Sequence, residues 1–117
     1  MVTQRQRIMI SDMPFLITPL EDEKFNEKDV IYAVLCLQDN GDAYIIDLGQ
    51  SSEKGGPPFA EERRRECWLK YANGRQLLVG VHRPASDFNM AQDRIAMIDT
   101  IRREFSPPCE LEFSDRA

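Results

Sequence analysis

A chain of 117 residues with 42% hydrophobic content has the length of one ordinary domain, enough to bury roughly two-thirds of the surface its unfolded form exposes. Its formal net charge of -5 argues against a uniformly basic, sequence-indifferent nucleic-acid binder, although a local basic patch stays compatible with it. Cys36, Cys67 and Cys109, widely spaced and odd in number, outline neither a disulfide framework nor a metal knuckle and read as reduced intracellular thiols; with no run near the ~20 apolar residues of a membrane span, a cytoplasmic protein without a membrane partner is expected.

The chain opens on an arm, residues 1–29. Its Ile8, Ile10, Phe15, Leu16 and Ile17 can add a strand or pack over the core, while Asp12, Pro14 and Pro19 interrupt any signal-peptide apolar run. Glu21 to Asp29 is acidic and reads as a solvated connector with Phe25 as its anchor. Val30 to Leu37 follows, almost continuously apolar and rich in β-branched residues, the pattern of a central strand covered on both faces. Asn40-Gly41 supplies the positive φ angles of a tight hairpin turn. In the partner strand, Ala43 to Leu48, strict alternation puts Tyr44, Ile46 and Leu48 on one face and Ala43, Ile45 and Asp47 on the other, so a carboxylate enters an apolar neighbourhood.

Gly49 closes that strand, and residues 50–58, rich in Gly, Ser and Pro, form a loop. Phe59 to Tyr71 is expected to be a helix with Glu61 and Glu62 at its positive end and Asn73-Gly74 as its stop. Ala60, Arg64, Cys67, Trp68 and Tyr71 share one face, apolar except for Arg64, which must snorkel, pair or point into a cleft. Gln76 to His82 reads as a third strand. Ser86 or Asp87 is placed to cap a second helix, Ala91 to Phe105, with Ile95, Ile98, Ile101 and Phe105 as its buried stripe and Arg94, Asp99, Arg102 and Arg103 flanking it. Ser106-Pro107-Pro108 ends it, and the tail alternates Leu111 and Phe113 with Glu110 and Glu112, as an edge strand would. The fold class is therefore α/β (α+β): one domain with a small mixed or antiparallel sheet flanked by helices, in the order β-β-α-β-α.

Across Val30 to Glu110 the residues resemble the GIY-YIG nuclease superfamily. Val30-Ile31-Tyr32 stands where that family's Gly-Ile-Tyr opens the first strand, and Asp47-Leu48-Gly49 where its Tyr-Ile-Gly closes the second, with Val30 and Asp47 departing from the motif and Tyr32 and Gly49 keeping it. The resemblance implies a catalytic tyrosine at Tyr32, an arginine at Arg64, and Tyr71 or His82 in the place of a histidine. It further implies a metal ligand at Asp99 and Cys109 or Glu110 where an asparagine is expected. A site of that kind hydrolyses DNA phosphodiesters with one Mg²⁺ or Mn²⁺: the metal polarises the phosphate, the arginine neutralises developing charge, and the tyrosine or its bound water supplies the nucleophile. Asp47 either joins Asp99 on the metal or repels the phosphate.

Each of these residues also has a purely architectural reading. Tyr32, Cys67 and Trp68 suit a core. Asp47 can hold the backbone of residues 49–51, Arg64 can pair with Glu61 or Asp99, and Asp99 can pair with Arg102 or Arg103 on its own helix. His82 then ends a strand as a polar residue. The alternative to a nuclease is accordingly a catalytically degenerate copy of the fold, serving as a binding or interaction module.

Overall fold

The computed structural model describes residues 6–20, 29–51 and 62–110. The hairpin expected between Val30 and Leu48 sits at one side of a five-stranded sheet. Its strands are β1 (Gln6–Ile10), β2 (Met13–Pro19), β3 (Val30–Leu37), β4 (Ala43–Ser51) and β5 (Leu78–His82), in the spatial order β1-β2-β5-β3-β4 with every neighbouring pair antiparallel. Helix α1 (Glu62–Ala72) precedes β5, and α2 (Ala91–Phe105) follows it. The expected α+β class and the β-β-α-β-α order from β3 onward are both present. The acidic stretch 21–28, most of the loop expected at 50–58, the first turn expected at Phe59 and the tail 111–117 lie outside the described residues.

The arm supplies two strands of the sheet. Ser11 and Asp12, at φ 49° and 64°, make the tight reversal between β1 and β2, a left-handed pair of the kind that matches strand twist in two-residue hairpins. Pro14 falls outside the β2–β5 pairing, which runs from Leu16↔Val81 to Pro19↔Leu78, so its missing N–H breaks no bond to β5. In the second hairpin Gly41 alone takes the positive φ, at 90°, while Asn40 uses its side-chain oxygen to accept the Asp42 N–H at 2.9 Å.

β3 is central as its composition requires, and its seven residues from Val30 to Cys36 are all buried. Ile31, Ala33 and Leu35 point into a cluster with Phe15, Ile17, Ile45, Leu48, Ile98 and Ile101 under α2. Tyr32, Val34 and Cys36 point the opposite way, into a cluster with Ile46, Cys67, Trp68, Ala72 and Val79 under α1. The two helices therefore cover opposite faces of the sheet, and a side chain's parity along β3 decides which helix it meets.

The strict alternation expected of β4 fails at one point. Val34 pairs with Asp47 but Leu35 pairs with Ile45, leaving Ile46 as an extra residue in a β-bulge. Tyr44, Ile46 and Asp47 consequently all lie on the α1 side, while Ala43, Ile45 and Leu48 lie on the α2 side. Two consecutive side chains share a face, and one of them is the carboxylate.

The inward stripe of α2 is also shifted from the expected one. Arg94, 3% exposed, continues the Ile98–Ile101 line, whereas Ile95 is 49% exposed. The arginine is tolerated there because its charge is met: Nε donates to Gln50 Oε1 at 2.9 Å, Nη1 donates to both Asn89 oxygens at 2.7 Å, and Asp29 stands 3.7 Å away. The helix cap is Met90, whose N–H is accepted by Asp93 at 3.0 Å, and Ser86–Phe88 forms a short 3-10 turn ahead of it.

Cys67 in α1 and Cys109 beyond α2 are joined by a disulfide, 42 residues apart in sequence with Cα atoms at 5.9 Å, which corrects the reading of three reduced thiols. Ile98 and Ile101 of α2 belong to one core cluster and Cys109 to the other, so the chain leaving α2 crosses from one helix layer to the other within residues 106–110. Sequence spacing carries no signal of such a crossing. Cys36 remains a buried thiol.

Candidate functional site

The centre of the α1 face is a carboxylate with no contact to water. Asp47 is 0% exposed, carried inward by the bulge of β4. Arg64 approaches it from α1 as a fork, Nε to Oδ2 at 2.6 Å and Nη2 to Oδ1 at 2.7 Å. One helical turn further on, the Trp68 indole N–H donates to Oδ2 at 2.6 Å, and the Leu48 backbone N–H donates to Oδ1 at 2.8 Å. Two of the three residues, Asp47 and Trp68, are fully buried; Arg64 keeps an edge at the surface.

This arrangement follows from elementary electrostatics. An ionised carboxylate taken out of water must recover its hydration from donors, and a planar guanidinium supplies two of them in the geometry a carboxylate accepts. An ionised carboxyl group has about four acceptor sites, and Asp47 receives four hydrogen bonds. No lone pair is left for a metal ion or a proton in transit. The arginine is equally committed: Nε and Nη2 face Asp47, and Nη2 also lies 3.5 Å from the Leu48 carbonyl. Its positive charge is offset by the carboxylate it holds, which removes most of its attraction for a phosphate.

Tyr32 lies on the same face, paired across β3 and β4 with Gly49. A Cβ on Gly49 would come 2.2 Å from the Tyr32 phenolic oxygen and 2.4 Å from its Cζ, so the ring rests on the bare backbone of that glycine. Tyr32 and Gly49 are thus in direct contact. Tyr71, half-buried at the end of α1, packs against the same cluster, with the Lys70 ammonium 4.9 Å from its ring centroid. Tyr44 borders this group, and burial, then Tyr71 and Cys36, push its hydroxyl above the ordinary value of 10.0.

The remaining expected site residues stand elsewhere. His82 pairs with Ile31, on the α2 side of the sheet, where its Nδ1 lies 2.8 Å from the Pro14 carbonyl and its ring 5.5 Å from that of Phe15. Asp99 is on α2 and bonds Arg102 of the same helix. Arg102 in turn grips Glu110 through Nε and Nη2 at 2.7 and 2.8 Å, and those hydrogen bonds, against the opposing effect of burial, raise its already high pKa. Tyr32, Asp47, Arg64 and Tyr71 are brought together, and Asp99 and His82 are not among them. No group of three or more metal-ligating side chains occurs among the described residues.

Trp68, read from sequence as core, is also a ligand of the carboxylate. The signal in the sequence was partial: Asp47 and Arg64 were the two charges expected in apolar surroundings, but the partners expected for Arg64 were Glu61 or Asp99, and the contact with Asp47 emerges only in the fold. Arg94 had no such signal, because its partners come from the backbone of Asn89 and the end of β4.

No protein family, curated protein or solved structure matches the chain. Among the described residues, no helix is long and apolar enough to cross a membrane.

Proposed function

We infer that the chain is a catalytically degenerate GIY-YIG-like domain that works as a binding or interaction module. The observation that supports this most is the occupancy of Asp47: its four hydrogen bonds tie the arginine expected to meet phosphate to a carboxylate that no solvent, metal or substrate reaches. The separation of Asp99 from Tyr32 by the thickness of the sheet supports it further, since one metal cannot serve both. The test is incubation of the pure chain with branched, single-stranded and duplex DNA in Mg²⁺ or Mn²⁺. No cleavage above buffer is expected; cleavage that disappears in Arg64→Ala or Asp99→Ala would sink this reading.

The second reading, a divergent endonuclease acting on DNA with one Mg²⁺ or Mn²⁺, draws its support from the contact between Tyr32 and Gly49. That contact joins the two retained motif positions beside Arg64. For that chemistry Arg64 has to leave Asp47, and a carboxylate other than Asp99 has to hold the metal.

A further inference from the structure

On the α2 side of the sheet, the β1–β2 turn, the 3-10 turn Ser86–Phe88 and α2 together line a groove of about 430 Å³. Met13 and Met97 are half-buried in it because their inner sides pack on the core cluster under α2. Phe88, also lining it, is 65% exposed, so the groove lies open to water. Ala96 and Thr100 complete its α2 wall from the exposed side of that helix. Apolar surface left open and rimmed by polar groups marks an interaction site.

The rim is acidic at both ends. Asp93 lines the groove in the first turn of α2, and Asp87 adjoins Phe88 in the turn that leads into the helix. At the other end Glu104 accepts the hydroxyl of Ser11, a lining residue, at 2.6 Å, and Asp12 follows Ser11 in the β1–β2 turn. Among the described residues none of these four carboxylates pairs with a cation. The arginines of α2 are committed elsewhere: Arg94 to Gln50 and Asn89, Arg102 to Glu110 and Asp99, and Arg103 Nε to the Asp99 carbonyl at 3.3 Å.

We propose that this groove docks a basic amphipathic helix of a partner protein, with its apolar residues on Met13, Met97 and Phe88 and its lysines or arginines at both ends. The proposal rests on the binding-module reading and names its partner. Methionine suits such a floor, since its unbranched, polarisable side chain reshapes around whatever apolar anchor enters. A small-molecule pocket encloses most of its ligand, whereas an open groove takes side chains delivered on a backbone that spans it. Side chains as short as Ala96 and Thr100 let a second helix lie beside α2 at the usual packing distance of about 8–10 Å. The carboxylates set the occupant's pattern. Asp93 and Glu104, eleven residues apart on α2, are separated by about 16 Å along its axis, three helical turns, and the partner's basic ends have to match that span. Like charge opposes other occupants: a second copy related by a two-fold axis sets these carboxylates against themselves, and nucleic acid brings phosphates to them.

Three synthetic helical peptides of about 18 residues test this. The first has leucines at i, i+3, i+4, i+7 spacing in its middle and lysines in its first and last turns; the second has the same composition with every lysine at one end; the third has glutamate for each lysine of the first. Fluorescence anisotropy with the full chain is expected to show binding of the first that weakens as salt rises, binding of the second about tenfold weaker, and none of the third. Phe88→Ser, at an exposed position, is expected to weaken the first peptide about tenfold or more. Asp87→Lys combined with Glu104→Lys is expected to abolish its binding and to admit the glutamate peptide. Asp12→Asn, which suits the left-handed turn as aspartate does, is the mildest variant and is expected to cost about threefold. Equal binding of the lysine and glutamate peptides, equal binding of the two lysine peptides, or binding indifferent to all three variants overturns the proposal. So does sedimentation showing a dimer that Phe88→Ser dissolves, since a second copy then covers the groove. DNA cleavage by the same preparation refutes the module reading; absent peptide binding without cleavage refutes only the docked helix.

Discussion

The ring of Tyr32 lies across the Cα of Gly49 so closely that a methyl group there would meet the phenolic oxygen at 2.2 Å. The glycine is required by the tyrosine, and the pair fixes how β3 and β4 meet beside the buried carboxylate. Gly49→Ala is therefore expected to destabilise the chain by about 1–3 kcal/mol, the usual cost of overfilling a packed site. Urea unfolding measures it, and the same substitution in a Tyr32→Leu background should cost less than half as much. Equal costs in both backgrounds would mean that the contact is not the cause.

Removing one partner of the buried ion pair should be worse than removing both. Asp47→Ala takes the anionic partner from the Arg64 guanidinium and the Trp68 N–H, and Arg64→Ala leaves a fully buried carboxylate without its counter-charge; each is expected to cost about 3–5 kcal/mol. The double replacement Asp47→Leu with Arg64→Met is expected to be more stable than either single variant, because no charge is left uncompensated. Chemical denaturation of the four proteins checks the order.

The disulfide between Cys67 and Cys109 closes a loop with a sequence separation of 42 residues. Constraining an unfolded chain over such a span is worth about 3–4 kcal/mol, so a thiol reductant or Cys109→Ser should lower the unfolding midpoint markedly. Amide exchange should rise first at residues 106–110, where the crossing between helix layers is held by this bond and by the grip of Arg102 on Glu110.

Alkaline pH should weaken the fold in two stages. Burial, partly opposed by Arg75, pushes the Cys36 thiol above its ordinary 9.0, and burial with Tyr71 and Cys36 pushes the Tyr44 hydroxyl above its ordinary 10.0. In both cases the folded chain holds its proton more tightly than the unfolded chain, so the stability these groups contribute is complete below the ordinary value. It is lost as pH climbs toward the folded one. Thermal midpoints between pH 7 and pH 10.5 are expected to hold and then to fall from about pH 9; Cys36→Ala should flatten the first part of that fall and Tyr44→Phe the second.

Much of the scaffold was legible in the sequence because composition and period report burial directly. β3 was readable from its unbroken apolar run, α1 from the spacing of Arg64, Cys67, Trp68 and Tyr71, and α2 from its length and the Ser-Pro-Pro stop. The arm's place in the sheet was less so: Pro14 and Pro19 read as interruptions, and only the pairing with β5 shows that Pro14 lies outside it and Pro19 at its last rung. The site was legible as two inward charges, not as a contact between them. What resisted reading was whatever depends on three dimensions at once: Arg94 satisfied by a distant glutamine and a backbone carbonyl, and Cys109 carried across the sheet to Cys67.

The bulge of β4 carries a consequence for how the strand tolerates change in length. Val34 faces Asp47 and Leu35 faces Ile45, so Ile46 is supernumerary to the pleat. Excising Ile46 leaves a strand in which Ile45, Asp47 and Leu48 keep the sides they now occupy, and the carboxylate still looks toward Arg64. Excising Asp47 also restores the alternation, with Ile46 toward α1, but removes the carboxylate, whereas excising Leu48 throws everything on one flank of the gap out of phase with the other. The pleat is thus indifferent to length at the two bulge residues and intolerant of it at Leu48, a sharp boundary within a stretch whose apolar residues look interchangeable.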